Sequence, residues 1–223
     1  MRVGVTIDEL VVADEPRAWE ALGFELDGDT VVVGEVRIRA AGGDAGKGLV
    51  GWSLRGAAST ELDGLPTTAS ERPAPAVAPA HPNGVGGLDH VVAITPQLQR
   101  TIAALEAAGL DLRRIREQPT PAGAPRQAFF RLGGSILEVV QEPADVAERN
   151  GPDRPAFFWG LAFVAADLEA TVATLGEERV SEVREAIQPG RRIASLRRPA
   201  GLALPVALMT PRPRKGLSTS SPT

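Results

Sequence analysis

The sequence predicts an α+β chain assembled from copies of one strand–helix–three-strand (βαβββ) unit, and three observations predict it. A β-branched run followed by a helix-period segment occurs twice: Val91-Val92-Ala93-Ile94-Thr95-Pro96-Gln97-Leu98 with Thr101-Ile102-Ala103-Ala104-Leu105 aligns without a gap to Leu161-Ala162-Phe163-Val164-Ala165-Ala166-Asp167-Leu168 with Thr171-Val172-Ala173-Thr174-Leu175. Three short strand-like runs separated by turn residues follow each copy. Finally, two metal-competent side chains, His90 and Glu138, stand inside apolar strand runs, where a polar group is costly unless it is hydrogen-bonded or ligated.

In the middle copy Leu98, Ile102 and Leu105 recur at helical spacing and form an apolar stripe that a sheet must cover. Gly109 ends that helix by accepting a positive φ. Strands are predicted over 110–116, 127–132 and 135–141, with 118–125 as a loop and Gly133-Gly134 as a tight hairpin turn. The last copy has strand-like runs over 181–187, 192–197 and 204–209, with turns at Gln188-Pro189-Gly190 and Pro199-Ala200-Gly201. A compressed third copy opens the chain: strand 5–13, helix 15–22, short strands 24–26, 30–33 and 36–40, then a further strand over 48–55. Residues 65–82 are rich in Pro and Ala and read as a linker or surface strap with no regular element. The expected organisation is an N-terminal module (1–60), a linker (61–85), a paired two-module domain (86–211) and a disordered tail (212–223).

Composition narrows the function. At 223 residues, 43% hydrophobic and 23% charged, the chain can bury a real core. A net charge of -4 argues against nucleic-acid or anionic-membrane binding, since the only dense basic stretch is Pro211-Arg212-Pro213-Arg214-Lys215. The absence of cysteine excludes disulfides, thiolate metal sites and thiol nucleophiles, and fits a reducing cytosol. No apolar run approaches the roughly 18–20 residues of a membrane span, and the start Met1-Arg2-Val3-Gly4 lacks a signal-peptide core, so a cytoplasmic location is expected. With only His81 and His90, and no tyrosine, mechanisms that need several histidines or a phenolic acid are closed. Gly42 to Gly48 superficially follows a phosphate loop, but Gly48 stands where Ser or Thr is required.

Paired βαβββ units with Leu88-Asp89-His90-Val91-Val92 on the first strand and Ile136-Leu137-Glu138-Val139-Val140 on the last resemble the vicinal oxygen chelate superfamily of glyoxalases, bleomycin-resistance proteins and extradiol dioxygenases. The resemblance covers roughly residues 86–211 and, more weakly, 3–55. It implies curved mixed sheets forming a cup with helices on the outer face, a small-molecule ligand, and His90 and Glu138 as ligands of a divalent ion such as zinc, iron, manganese or nickel. Glu138 would be the catalytic group for a lyase, isomerase or dioxygenase type of reaction, with Gln127, Phe129, Arg131 and Arg192 as substrate-binding candidates. The ligand set is incomplete: the repeat places Gly160 opposite His90 and Val206 opposite Glu138, and Glu9 and His81 are the remaining candidates. A metal-free cup that sequesters a compound is the alternative. Arg191 and Arg192 point to opposite faces, so one of them reaches the cup; Trp19, Trp52 and Trp159 are expected mainly in packing. Three modules leave the first without a partner in the chain, so a homodimer built on its apolar face (Val31, Val33, Val36, Ile38, Trp52) is expected.

Overall fold

The computed structural model describes residues 4–121 and 123–213. Two mixed sheets are built, and each obeys one rule: the first strand of a module lies parallel to that module's last strand.

In the second module β7 (Val85–Thr95) leads into α2 (Leu98–Ala107), then β8 (Asp111–Arg116), β9 (Gln127–Leu132) and β10 (Ser135–Gln141). After α3 (Ala144–Asn150), the third module runs β11 (Phe157–Ala165), α4 (Leu168–Leu175), β12 (Arg184–Glu185), β13 (Arg192–Ser195) and β14 (Val206–Met209). These strands form one eight-stranded sheet, β12-β13-β14-β11-β7-β10-β9-β8, joined at its centre by the antiparallel pair β7–β11. Leu98, Ile102 and Leu105 of α2 are buried in the same core as Val91, Ala93, Phe130, Leu137 and Val139, so the predicted stripe meets the alternate face of the strands. Asp167 caps α4 by accepting a hydrogen bond from the Ala170 amide at 2.9 Å. The third module's middle strands are shorter than predicted, and the connection after β10 contains α3.

The N-terminal segment gives β1 (Thr6–Val12), α1 (Pro16–Glu20), β2 (Leu26–Asp27), β3 (Thr30–Val33), β4 (Val36–Ala40), β5 (Leu49–Arg55) and β6 (Thr67–Ala69), in a six-stranded sheet ordered β2-β3-β4-β1-β5-β6. β6 corrects the expectation that residues 65–82 hold no regular element. Its register explains it. β5 runs antiparallel to β1 as β11 does to β7, and β6 runs parallel to β5 as β14 does to β11. Gly51 pairs with Val11 where Gly160 pairs with Val92, and the amides of Trp52 and Leu161 donate to the carbonyls of Pro66 and Pro205 at 3.1 and 3.0 Å. β5 and β6 are therefore a fourth module stripped to its first and last strands. The chain holds two pairs of modules, not three copies.

That pairing removes the basis for the expected homodimer. Val31, Val33, Val36, Ile38 and Trp52 are all buried within the single chain. The N-terminal sheet packs on the third module through Trp52 against Phe158 (ring centroids 5.0 Å apart) and through Trp19 and Phe24 against Phe163 (6.1 and 5.8 Å). Asp63, in the loop of the stripped module, accepts from Arg100 on α2 at 2.7 Å.

Residues 70–73 then cross the polar face of the N-terminal sheet. Fully buried Asp8 pairs there with Arg37, Arg55 and Arg72, and Ser70 donates to it at 2.7 Å. Burial alone would raise the Asp8 carboxyl; the hydrogen bonds of Ser70 and Arg72 and the charges of Arg72 and Arg55 outweigh it and leave it lowered. The tail's residues 214–223 lie outside the described residues, but Arg212, read as part of a disordered end, is placed against Asp89.

Candidate functional site: a cup with a buried carboxyl at its centre

The open face of the eight-stranded sheet is a cup with three connected branches. One, of about 490 Å³, is lined by Arg114, Arg116, Gln127 and Phe129; a second, of about 360 Å³, by Arg131, Arg191 and Arg212; the third, of about 600 Å³, by Val92, Ile94, Trp159, Leu161, Ile193 and Val206. His90 and Glu138 line all three. The parallel β7–β10 pair sets this: His90 lies beside Ile136 and Glu138 beside Val92, so the two polar side chains emerge on one face two residues apart.

Glu138 is nearly enclosed, with 14% of its side chain exposed. Burial raises its carboxyl above the ordinary value; the charge of His90 and the hydrogen bond from Gln127 offset this only in part, Asp89 adds to the rise, and Arg114 opposes it. Gln127, on the adjacent strand β9, donates its amide N–H to Glu138 Oε1, which leaves Gln127 Oε1 buried without a partner. The other carboxylate oxygen lies 3.8 Å from His90 Nε2.

His90 is held from behind by Asp89. In the β7–β11 ladder Ala162 pairs with His90 and Phe163 with Leu88, so Asp89 is an unpaired bulge residue. Its carboxylate accepts from His90 Nδ1 at 2.8 Å and from Arg191 Nη1 at 3.1 Å, with Arg191 Nη2 2.9 Å from the second oxygen. Arg191 also donates through Nε to the Thr210 carbonyl at 2.9 Å. Burial alone would raise the Asp89 carboxyl, but hydrogen bonds from His90 and Arg191 and the charges of His90 and Arg212 hold it far below the usual carboxylate range. A carboxylate only accepts, so His90 carries a proton on Nδ1 and turns its Nε2 edge to the cup. His81 is the opposite case. Its Nδ1 accepts from the Glu25 amide at 3.3 Å and its Nε2 donates to the Val32 carbonyl at 3.0 Å.

The sequence candidates sort accordingly. Gln127, Phe129 and Arg131 share the cup face of β9 with His90 and Glu138 nearby. Arg192 does not join them: it is exposed and pairs with Glu169 on α4, while Arg191 takes the inward position as the clamp on Asp89. Glu9 is engaged by Arg39 and Arg72, and both nitrogens of His81 are used, so neither supplies a metal ligand. The register matches Glu138 to Ala207, one residue beyond the expected Val206, because Val92 pairs with Glu138 whereas Ala162 pairs with Ala207. At Gly160, the counterpart of His90, a Cβ would lie 2.5 Å from the Pro205 carbonyl oxygen, so no ligand side chain fits there. Among the described residues no three His, Cys, Asp or Glu side chains are grouped to hold a metal ion. One imidazole and one carboxyl do not complete the three or four ligands such a site needs.

Sequence reasoning assigned no role to Asp89 or Arg114, and held a wall position for Trp159 only as the lesser alternative to packing. A signal for Asp89 was present, since Ile7-Asp8-Glu9 repeats Leu88-Asp89-His90 and puts Asp8 at an equivalent bulge. Trp159 stays 48% exposed at the wall of the apolar branch, whereas Trp19 and Trp52 are spent on packing as expected.

Comparison with known proteins bears on the architecture. Methylmalonyl-CoA epimerase from Mycobacterium tuberculosis is 19% identical, with 58% of this chain aligned to 91% of that one at a TM-score of 0.46. A variant of the Streptomyces coelicolor methylmalonyl-CoA epimerase, in complex with 2-nitronate-propionyl-CoA, is 21% identical over 56% of this chain and 97% of that one, at 0.45. A xylose isomerase-like TIM barrel/4-hydroxyphenylpyruvate dioxygenase fusion protein is 12% identical, yet aligns 96% of this chain to 50% of its own at 0.55, a likeness of fold that spans both sheets. A search of curated proteins finds no match. The family model matches residues 87–198, which supply most of the cup, and the chain belongs to the Glyoxalase/Bleomycin resistance protein/Dioxygenase superfamily.

Proposed function

We propose that the cup binds a small molecule and that Glu138 exchanges a proton with it. The observation that carries this reading is the place of Glu138, a nearly enclosed carboxyl at the junction of the three branches, where burial raises its hold on a proton. A carboxyl whose hold on its proton is strengthened by burial is suited to general acid–base work. In the reaction Glu138 would take a proton from an acidic carbon or hydroxyl of the substrate. Gln127 orients the carboxyl and offers its free Oε1 to a substrate donor, and His90, fixed by Asp89, turns its Nε2 edge to the same space. An isomerase or lyase type of reaction follows from such a site. One imidazole and one carboxyl leave a divalent ion short of the donors it needs.

The test uses solvent exchange. Protein incubated in D2O with a panel of α-substituted carbonyl compounds should catalyse deuterium incorporation into at least one, and Glu138→Gln should abolish it while the fold is retained. Exchange unaffected by Glu138→Gln would reject the carboxyl as the proton acceptor. Metal-free sequestration is the second reading, favoured by the apolar branch around Trp159; it is distinguished by tight binding with no exchange in any compound bound. Protein purified without chelators should hold less than one equivalent of zinc, iron, manganese or nickel, and stoichiometric metal would restore the ion-dependent reading.

A further inference from the structure

The walls of the cup differ in chemistry. Strands β8 and β9 of the second module turn Arg114, Arg116 and Arg131 toward it: Arg114 pairs in register with Phe129 and Arg116 with Gln127, while Arg131 lies two residues from Phe129 on the same face. The third module contributes Trp159, Leu161 and Ile193 to the opposite wall, with a single arginine, Arg184, on its edge strand β12.

Several arginines around the same sheet are neutralised: Arg113 by Asp111, Arg126 by Glu117, Arg191 by Asp89, Arg192 by Glu169. Among the described residues no carboxylate lies within ion-pair distance of Arg114, Arg116 or Arg131, in a chain whose net charge is -4. Arginines on an edge strand also discourage strand pairing between molecules, and for that role any orientation serves. Here they face the cup, and the Arg114 guanidinium sits 4.6 Å from the centroid of the Phe129 ring. Stacking fixes its plane and leaves its N–H edges free for a two-pronged bond to an oxyanion.

Resting on the reading of the cup as a small-molecule site, we infer that its ligand is an oxyanion carried on an apolar body. The carboxylate or phosphate head lies on Arg114 and Arg131, and the body crosses Glu138 to the wall around Trp159. Placing the two ends on different modules suspends the middle of the ligand over the central carboxyl. The atoms nearest the anionic head are then the ones Glu138 meets.

Matched probes test this. Isothermal titration with 2-naphthoate, 2-naphthyl phosphate and neutral 2-naphthamide should show at least one anion binding tenfold or more tighter than the amide. Which anion wins identifies the head group. Arg114→Gln/Arg131→Gln, both at exposed side chains, should erase that preference by weakening the anions tenfold or more while changing amide binding far less, whereas Trp159→Ala should weaken all three. Equal binding of acid, phosphate and amide, all weakened by Trp159→Ala, would overturn the anionic class and leave the cup standing. Binding insensitive to Trp159→Ala, or no binding of any probe at millimolar concentration, would overturn the cup reading and this inference with it.

Discussion

Asp89→Asn should be among the most damaging single changes in this protein and should alter the state of a neighbouring side chain as well. Asp89 and Arg191 each expose 4% of their side chains, so the substitution leaves a guanidinium buried with its counter-charge gone. Breaking one partner of such a pair costs about 3–5 kcal/mol. Asparagine keeps one acceptor oxygen, and the Thr210 carbonyl still takes the Nε and Nη2 protons of Arg191, so the lower end of about 3 kcal/mol applies. In a chain of this size each kcal/mol moves Tm by about 2–4 °C, giving a fall of about 6–12 °C. The lowered Asp89 carboxyl contributes stability above the unfolded-state value of about 3.9 and loses it as pH falls through the folded value. The gap between wild type and variant should therefore be full at pH 7 and shrink only under strongly acidic conditions. With only two histidines, ¹⁵N imidazole spectra give a second readout carrying its own control. Neutral wild-type His90 should hold its proton on Nδ1 and His81 on Nε2, and Asp89→Asn should shift His90 toward the other tautomer while leaving His81 alone. A Tm unchanged to within about 2 °C together with an unchanged His90 tautomer would refute the clamp.

The other predictions concern the same sheet and the assembly. Because the Glu138 carboxyl is raised in the fold, its ionisation costs stability as pH climbs through and above the unfolded value of about 4.3; Glu138→Gln should raise the denaturation midpoint at pH 7, and that gain should vanish below pH about 4. Gly160→Ala forces a Cβ to 2.5 Å from the Pro205 oxygen and should destabilise by about 1–3 kcal/mol, as overpacking does; a neutral result would show that β14 moves aside freely. Sedimentation at high micromolar concentration should give the single-chain mass of 23.4 kDa, because the apolar face of the first module is covered internally; a doubled mass would mean that some other surface pairs.

The cup was legible because strand period is two. Once His90 and Glu138 stood on the first and last strands of a unit, alternation put them on one face with Gln127 and Phe129 across the ladder. The clamp behind His90 was not legible, because it depends on a bulge, and a bulge breaks the alternation from which faces are read. The same holds for the choice between Arg191 and Arg192: period two says that they oppose one another, not which is inward, and packing of Arg191 against Asp89 and Thr210 decides it. The fourth module was missed because detection leaned on the helix and on three following strands, and β5–β6 keep none of the middle elements. Only Gly51 within β5 and Pro66 just before β6 survive in register, too short a signal to stand out in a segment rich in both residue types.

A stripped module that leans on its neighbours also changes how the molecule comes apart. Residues 56–66 stand where the third module has a helix and two strands, and Asp63 grips α2 instead; Ala156 donates to the Asp63 carbonyl at 2.9 Å, next to the start of β11. One continuous apolar core runs from Ile7 and Trp52 to Phe163 and Leu208. Neither half can open without wetting the other, so heat or denaturant meets one cooperative unit rather than two beads on a string. A protease cut within residues 71–80 would thus leave two fragments that stay together until the whole chain melts, and recombination of separately expressed halves, rather than truncation, becomes the practical way to take this protein apart.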